Sequence, residues 1–340
     1  MIVDLRNYRL PLLSSLDTAH GSLHERVGLL VSVTDGELIG WGEAAPLPGW
    51  SARSLDLVTA ALAAAAAGLE LGIDNALDSL EVVPEARAGL AGALADLTAQ
   101  RRDLSLSRSL DPDAASSVAV NALVSASAPD AAAQAARAAC GAGMSTIKLK
   151  VAVESPEVDI ERVAAVREAI GSDVELRLDA NGGWTVPVAL RLLEAVAGHD
   201  IAFCEEPVSG LAAIAEVGAA SALPVGIDES ARSVDDVAAA LGTGTIDVVV
   251  VKPQAIGGPD LAMQAVRLVR EFGGTPIVTT MIDSAIGVAH ALHVAAASGV
   301  ELAHGLATSA FLRADVGEPP SIVDGRMMVP TGPGLGVKPR

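Results

Sequence analysis

Residues 146-TIKLK-150 set two lysines two positions apart inside a run that otherwise reads as a buried strand. Side chains alternate along a strand, so Lys148 and Lys150 share one face. Removing one ammonium from water is costly, and removing two on one face is worse. Working outward, similar short β-rich runs recur: 117-SVAVNALV-124, 174-VELRLDA-180, 201-IAFCEEP-207, 224-PVGIDES-230, 246-IDVVVVKP-253, 276-PIVTTMI-282 and a weak 301-ELAHGL-306. Alanine- and leucine-rich helical stretches separate them. Eight strands at intervals of roughly 25 residues, alternating with helices, predict an α/β fold, a (β/α)-type parallel barrel. A doubly wound sheet is the competing layout, but no G-x-G-x-x-G follows the first strand.

Upstream the rhythm differs. Three strands, 2-IVDLRNYRL-10, 26-RVGLLVSVT-34 and 38-LIGWGEA-44, precede helical segments near 52–71, 74–80 and 84–102. Asp35-Gly36 is a strong hairpin signal between the second and third strands, and 14-SSLDTAHGSLHE-25 reads as a polar loop between the first two. The division expected is an α+β capping domain over 1–112, a barrel over 113–314, and a turn-rich segment, 315–340, packing back on the cap.

Composition narrows the function classes. The chain has 340 residues, 51% of them hydrophobic, enough for a large core, with aromatics at only 2%. A net charge of −19 repels nucleic acid and anionic membrane surfaces. Cys140 and Cys204 form no C-x-x-C pair, the N-terminus lacks an export signal, and no window is apolar enough to span a membrane. A soluble, cytoplasmic protein is the expectation, with a small anionic carboxylate as substrate and self-association left open.

In such a barrel the chemistry sits at the carboxyl ends of the strands, and the conspicuous charges fall there. Lys148 and Lys150 close the second strand, Asp179 the third, Glu205 and Glu206 the fourth, Asp228 and Glu229 the fifth, and Lys252 the sixth. Asp179, Glu205 and Asp228 on three consecutive strands would converge and repel one another. A divalent cation removes that conflict, and an all-oxygen donor set favours Mg²⁺ or Mn²⁺ over zinc. The plainer alternative pairs some of these acids with Arg177 or places them as helix caps. Lys150 and Lys252 would face each other across the mouth, where a neighbouring cation lowers a lysine's pKa and makes it a usable base. A lysine snorkelling to the rim suits Lys148 better than Lys150.

The motifs 148-KLK-150, 178-LDANGGW-184, 205-EEP-207, 227-IDES-230 and 252-KPQAIGG-258, in order at successive strand ends, resemble the enolase superfamily and, within it, the muconate-lactonizing subgroup. That superfamily pairs a lysine or histidine base with magnesium. The resemblance implies that Asp179, Glu205 and Asp228 ligate the metal, with Glu206 and Asn181 behind them. It makes Lys150 the base, Lys148 its support, and Lys252 the opposite acid/base or a charge-stabilising ammonium. The seventh strand ends without the histidine of the mandelate-racemase subgroup, and the eighth-strand run 304-HGLATS-309 lacks the acid pair of dipeptide epimerases. The run 303-AHGLATSAFLRADV-316 is similar to that of o-succinylbenzoate synthases, lyases of menaquinone biosynthesis that remove an α-proton and eliminate water. The alternatives are an N-acylamino acid racemase or dipeptide epimerase and, more distantly, a non-catalytic binding barrel. The resemblance also implies that residues 14–25 and 46–51 close over the mouth, with Ser284 and Gly305 near the remote part of the substrate.

Weaker signals have plainer readings. His290 and His293 have a spacing that suits a metal, but they sit on a helix expected to lie outside the barrel. His304 could face substrate. Cys204 and Trp184 read as packing.

Overall fold

In a computed structural model of the chain, residues 1–18 and 21–340 are described. The N-terminal sheet is β1 (Ile2–Thr18), β2 (Gly21–Asp35) and β3 (Leu38–Ala44), antiparallel in that order. Gly36, at φ +61°, makes the tight β2–β3 turn. The polar loop expected at 14–25 is mostly strand. The β1–β2 ladder continues through Leu16↔Leu23 to Thr18↔Gly21 after a register shift beyond Pro11, while Ala19 and His20 lie outside the described residues. Hairpin pairing overrides the polar composition, because a two-stranded ribbon asks for backbone partners and no buried face.

Helices α1 (Leu55–Gly68), α2 (Ile73–Asp78), α3 (Pro84–Arg101) and α4 (Leu106–Leu110) follow. The Ser54 hydroxyl caps α1 by accepting from the Leu57 N–H. Helix α3 lies against β3 so closely that a Cβ on Gly42 would meet the Gly89 carbonyl at 2.0 Å, and one on Gly40 the Ala93 carbonyl at 2.0 Å. Leu29, Val31, Leu62, Leu90 and Leu97 fill the core between them.

Residues 117–124, expected as one strand, divide into β4 (Ser117–Ala119) and β5 (Ala122–Val124). Between them the Val120 N–H turns to the Gly325 carbonyl and the Asn121 N–H to that of His304, so the chain changes sheets. The parallel sheet runs β5, β6 (Thr146–Lys150), β7 (Glu175–Asp179), β8 (Ile201–Glu205), β9 (Val225–Ile227), β10 (Val248–Val251) and β11 (Thr275–Val278). The expected eighth strand is reduced to two bridges, Thr279↔Gly305 on one side and Val120↔His304 on the other, which join the two edges of the sheet. Helices α5 (Pro129–Gly141), α6 (Pro156–Ile170), α7 (Val186–Val196), α8 (Leu211–Ala220), α9 (Val234–Leu241), α10 (Pro253–Ile256), α11 (Pro259–Glu271) and α12 (Ala285–Ala297) connect or follow the strands.

Helix α12 is buried along its whole length, as a helix apolar all round must be. One side meets the barrel wall. On the other, Ala285, Ile286 and Ala289 pack with Tyr8, Leu10 and Leu30 of the N-terminal sheet. The chain's last segment forms β12 (Ile322–Val323) and β13 (Arg326–Met328), which pairs with β4. It then reaches α3 and α4: the Leu335 N–H donates to Asp96 Oδ1 at 2.8 Å and the Leu106 N–H to the Gly334 carbonyl at 2.8 Å. No helix among the described residues is long and apolar enough to cross a membrane.

Gly42→Ala is expected to destabilise the protein by about 1–3 kcal/mol through overpacking between β3 and α3. Gly68→Ala, at a helical position with nothing within 4 Å of the new methyl, should be neutral or stabilising. Urea unfolding of both variants checks the contrast.

Candidate functional site at the barrel mouth

The strand registers bring the site together. Lys150 pairs with Asp179 across β6 and β7, and Asp179 with Glu205 across β7 and β8. Asp228 follows β9, and its N–H donates to Glu206 Oε2 at 2.8 Å. Asp179 and Glu205 are each 2% exposed, Asp228 4% and Lys252 8%, so the cluster lies in the barrel and not on a solvated rim.

The ammonium groups partition these acids. Lys148 Nζ stands 2.6 Å from Glu205 Oε1 and 3.0 Å from Asp179 Oδ2. Lys150 Nζ is 3.6 Å from the same Asp179 oxygen and donates to Asn181 Oδ1. Asn181 takes a left-handed backbone, φ +44°, which lets its N–H reach Asp179 Oδ1 while its amide donates to Glu229 at 2.9 Å. Lys252 contacts Asp228. Glu206 also has positive φ, +41°, and turns its carboxylate to Ser230 and the Asp228 amide. In E-E-P, then, the first glutamate faces the lysines and the second supports the next strand end. Arg177, the plainer partner considered for the acids, instead donates to Glu175 and to the Ala303 carbonyl and stacks on Phe203, with 5.1 Å to the ring centroid.

Electrostatics follow from that geometry. Burial raises the Asp179 carboxyl, but Lys148 and Lys150 outweigh it and hold the group down at about 2. Glu205 is pushed well above the ordinary range by burial and by the charges of Asp179 and Asp228, which Lys148 only partly offsets. Glu206 rises to about 7, chiefly through burial. Burial pulls Lys148 and Lys252 down, yet the carboxylates facing each raise both above the usual ammonium value. Lowering is expected of a lysine beside a bound cation; facing carboxylates alone, Lys148 and Lys252 shift the other way.

Among the described residues, no three side chains of His, Cys, Asp or Glu form a ready-made metal cage. Ammonium groups stand between the acids that were expected to converge. The donors nevertheless suit a hard divalent cation by type, being carboxylate oxygens from three consecutive strand ends.

Several expectations fall elsewhere. Ser284 is 0% exposed, and its N–H and O–H both go to the Glu43 carboxylate, so neither is offered to a substrate. The Gly305 N–H donates to the Val278 carbonyl, and its own carbonyl accepts from Thr279 and Thr280, so its backbone closes the sheet. His290 and His293 are not a metal pair: His290 Nε2 meets the Trp41 carbonyl, while His293 accepts from the Ser107 N–H and donates to the Leu335 carbonyl. His304 is 0% exposed and accepts from the Val278 N–H. Cys204 and Trp184 sit in the barrel core.

Sequence reasoning missed the individual roles of Trp50 and Arg232. Lys252 Nζ lies 4.9 Å from the centroid of the Trp50 ring and the Arg232 guanidinium 4.7 Å from it, while Arg232 donates to the carbonyls of Trp50 and Glu229. The 46–51 segment therefore reaches the mouth. Its apolar ring among charged strand ends was the available signal.

The C-terminal part of the chain, residues 130–340, matches the family model described as enolase C-terminal domain-like, and residues 2–97 match that of the MenC N-terminal domain. The chain belongs to the enolase superfamily. An o-succinylbenzoate synthase from Thermobifida fusca is 35% identical over 206 residues, 60% of this chain and 63% of that protein; the chain thus matches somewhat under two thirds of that relative's length. Another from Mycobacterium tuberculosis is 35% identical over 192 residues, 55% of this chain and 57% of the relative. Among solved structures, the L-Ala-D/L-Glu epimerase of Bacillus subtilis superposes with a TM-score of 0.90 at 27% identity, covering 98% of this chain and 97% of that one. A dipeptide epimerase from Cytophaga hutchinsonii, complexed with Mg and D-Ala-L-Val, gives 0.91 at 26% identity, covering 100% and 96%. A muconate lactonizing enzyme from Pseudomonas fluorescens, at 22% identity and TM-score 0.88 over 99% and 96%, shares the fold.

The buried histidines of this superfamily member link its stability to pH. Burial depresses His293 to about 4 and His304, with Arg177 adding to the effect, to about 3. Unfolded histidine titrates near 6.5, so the stability these groups support is complete above that value and is lost as pH falls through their folded values. His293→Gln should remove about 3 kcal/mol of the stability difference between about pH 6.5 and pH 3.5. Denaturant titrations at a series of pH values would read it, and an unchanged pH profile would refute the assignment.

Proposed function

We propose that the protein is a magnesium-dependent hydro-lyase of the o-succinylbenzoate synthase type, abstracting the α-proton of a cyclohexadiene carboxylate and eliminating water. What carries the reading is one arrangement: Lys150 at the end of β6 and Lys252 beyond β10, four strands apart in the sheet, with Asp179, Glu205 and Asp228 on the strands between. The MenC N-terminal match and the o-succinylbenzoate synthase relatives support the substrate class.

In this reading Asp179, Glu205 and Asp228 would hold Mg²⁺, which would supply Lewis-acid stabilisation to the substrate carboxylate. Lys150 accepts that proton at Nζ, held in place by Asn181 and Asp179. The same lysine then returns it to the departing hydroxyl, which leaves as water while the ring becomes aromatic. Lys252 remains an ammonium facing the developing negative charge. The Trp50 ring beside it keeps water from that charge. Lys148, between two of the acids, holds their carboxylates in register. The reaction takes place within the barrel, and the cytoplasm is its expected location.

A racemase or epimerase of N-acylamino acids or dipeptides is the second reading, favoured by the epimerases that superpose over nearly the whole chain. It would use both lysines as acid/base groups, one on each face of the substrate.

Lys252→Ala separates the two. A dehydratase should lose turnover, by 10²-fold or more on the scale of a removed charge stabiliser, roughly. An epimerase should keep α-proton exchange with one enantiomer while losing it with the other, read by deuterium incorporation from heavy water. Turnover of a dipeptide library with none of the cyclohexadiene acid would overturn the dehydratase reading.

Magnesium at 100 times its dissociation constant should stabilise the wild type by about 2.7 kcal/mol, seen as a rise in Tm. Asp228→Asn should abolish most of that rise, and a wild-type Tm indifferent to Mg²⁺ would remove the metal from the proposal.

A further inference from the structure

Beside the mouth, where the N-terminal sheet meets α12, lies a partly open cavity of about 20 Å³ lined by Glu43, Gln254, Asp283, Gly287 and His290 among others. That is room for one water molecule. The hydrogen-bond inventory around it is one-sided. Glu43 already takes the Tyr8 hydroxyl, the Ser284 N–H and O–H, and the Gly287 N–H. Arg26 gives its donors to the carbonyls of Ala45, Pro46 and Ile282. Gln254 gives its amide to the Glu43 carbonyl, and His290 Nε2 faces the Trp41 carbonyl, so that nitrogen carries the ring proton. Three acceptor atoms on cavity-lining residues then remain without a donor: Asp283 Oδ1, Gln254 Oε1 and His290 Nδ1. Their residues are 2%, 5% and 5% exposed, and burying such groups unpaired is costly.

One water has two hydrogens and cannot serve three acceptors. A water plus one proton can. We propose that the cavity holds a single water molecule that accepts from a protonated Asp283 carboxyl and donates to Gln254 and His290, making the joint between the N-terminal unit and the barrel proton-linked. The Glu43 carboxylate stands beside Asp283 in this joint, and the positive charges of Arg26 and Lys252 offset burial and that neighbour only in part. Burial and the neighbouring Glu43 charge raise Asp283 to about 7. The backbone is shaped for it as well. Ile282 sits at φ +60°, a conformation costly for a β-branched residue, and its carbonyl is pinned by Arg26. Gly287 is required beside it, since a Cβ there would meet Glu43 Oε2 at 2.5 Å and Asp283 Cβ at 2.6 Å.

The charged and titratable groups facing Asp283 from the surrounding elements are Glu43 on β3, Tyr8 on β1, Arg26 on β2, His290 on α12 and Lys252 after β10. Its own titration has a definite sign. A carboxyl whose folded pKa is raised favours the folded state at low pH, and that contribution is lost as pH rises from the unfolded value, about 4, through about 7. Asp283→Asn keeps the shape, supplies a permanent N–H donor and removes the charge. The wild-type Tm should fall from about pH 5 to pH 8 by about 3 °C or more beyond any fall in Asp283→Asn, and the variant should be the more stable of the two at pH 8. Parallel pH profiles would overturn the proposal. So would a wild-type Tm at pH 8 that rises in potassium or ammonium chloride relative to choline chloride, and does so only with Asp283 intact, because a cation would then be the guest. Should the variant fail to fold, a crystal of the wild type below about pH 6 decides. One water within hydrogen-bond reach of the three orphan atoms is expected, and an empty cavity would refute it.

Discussion

The contact on which the mouth depends is the Lys148 ammonium held between Glu205 and Asp179, at 2.6 and 3.0 Å. Two carboxylates adjacent in strand register and nearly sealed from water repel each other, and each carries a desolvation penalty of several kcal/mol, roughly. One cation shared between them resolves both problems and divides the acids unequally, since Asp179 is held ionised while Glu205 resists ionisation.

Around this core the supporting residues act through unusual backbone. Asn181 and Glu206 adopt left-handed φ directly after the strand ends, at +44° and +41°. Each conformation turns a polar side chain back toward its neighbour: Asn181 to Lys150 and Glu229, Glu206 to the Asp228 amide and Ser230. Strain of this kind persists only where the surroundings determine it fully. Here the next strand's backbone does so, which links the placement of the acids to the order of the barrel strands.

The fold was legible where periodicity and register agree. The six parallel strands β6 to β11 and the β2–β3 turn stand where the β-rich runs and Asp35-Gly36 put them, because a buried strand is rich in β-branched and aliphatic residues and a tight turn needs its glycine. What escaped was decided by partners that lie far away in the chain. Residues 117–124 divide because the carbonyls of Gly325 and His304 accept from two successive N–H groups, those of Val120 and Asn121. Ser284 looked available because nothing local announces that Glu43, 241 residues earlier, takes both its donors. The charges at the mouth were legible as a set, since lysine and acid at strand ends are conspicuous against aliphatic neighbours. Their proton affinities were not, because the sign of a lysine's shift depends on which carboxylates reach it, and only distances tell that.

The N-terminal unit is more than a cover. Tyr8, Leu10 and Leu30 from its sheet share one apolar cluster with Ala285, Ile286 and Ala289 of α12 and with Leu335 and Val337 near the chain's end. A helix buried on every face has no solvated alternative, so the barrel without this sheet would expose a continuous apolar strip. The polar groups at that seam follow from the same burial. Glu43 is buried at this joint and must be met by donors, which the Ser284 cap of α12 and the bare Gly287 supply. Because Gln254, only two residues after Lys252, is bonded to the Glu43 carbonyl at 2.9 Å, the seam also fixes the strand end that carries the second lysine. The packing that joins the two parts of the molecule and the placement of that amine are therefore one constraint.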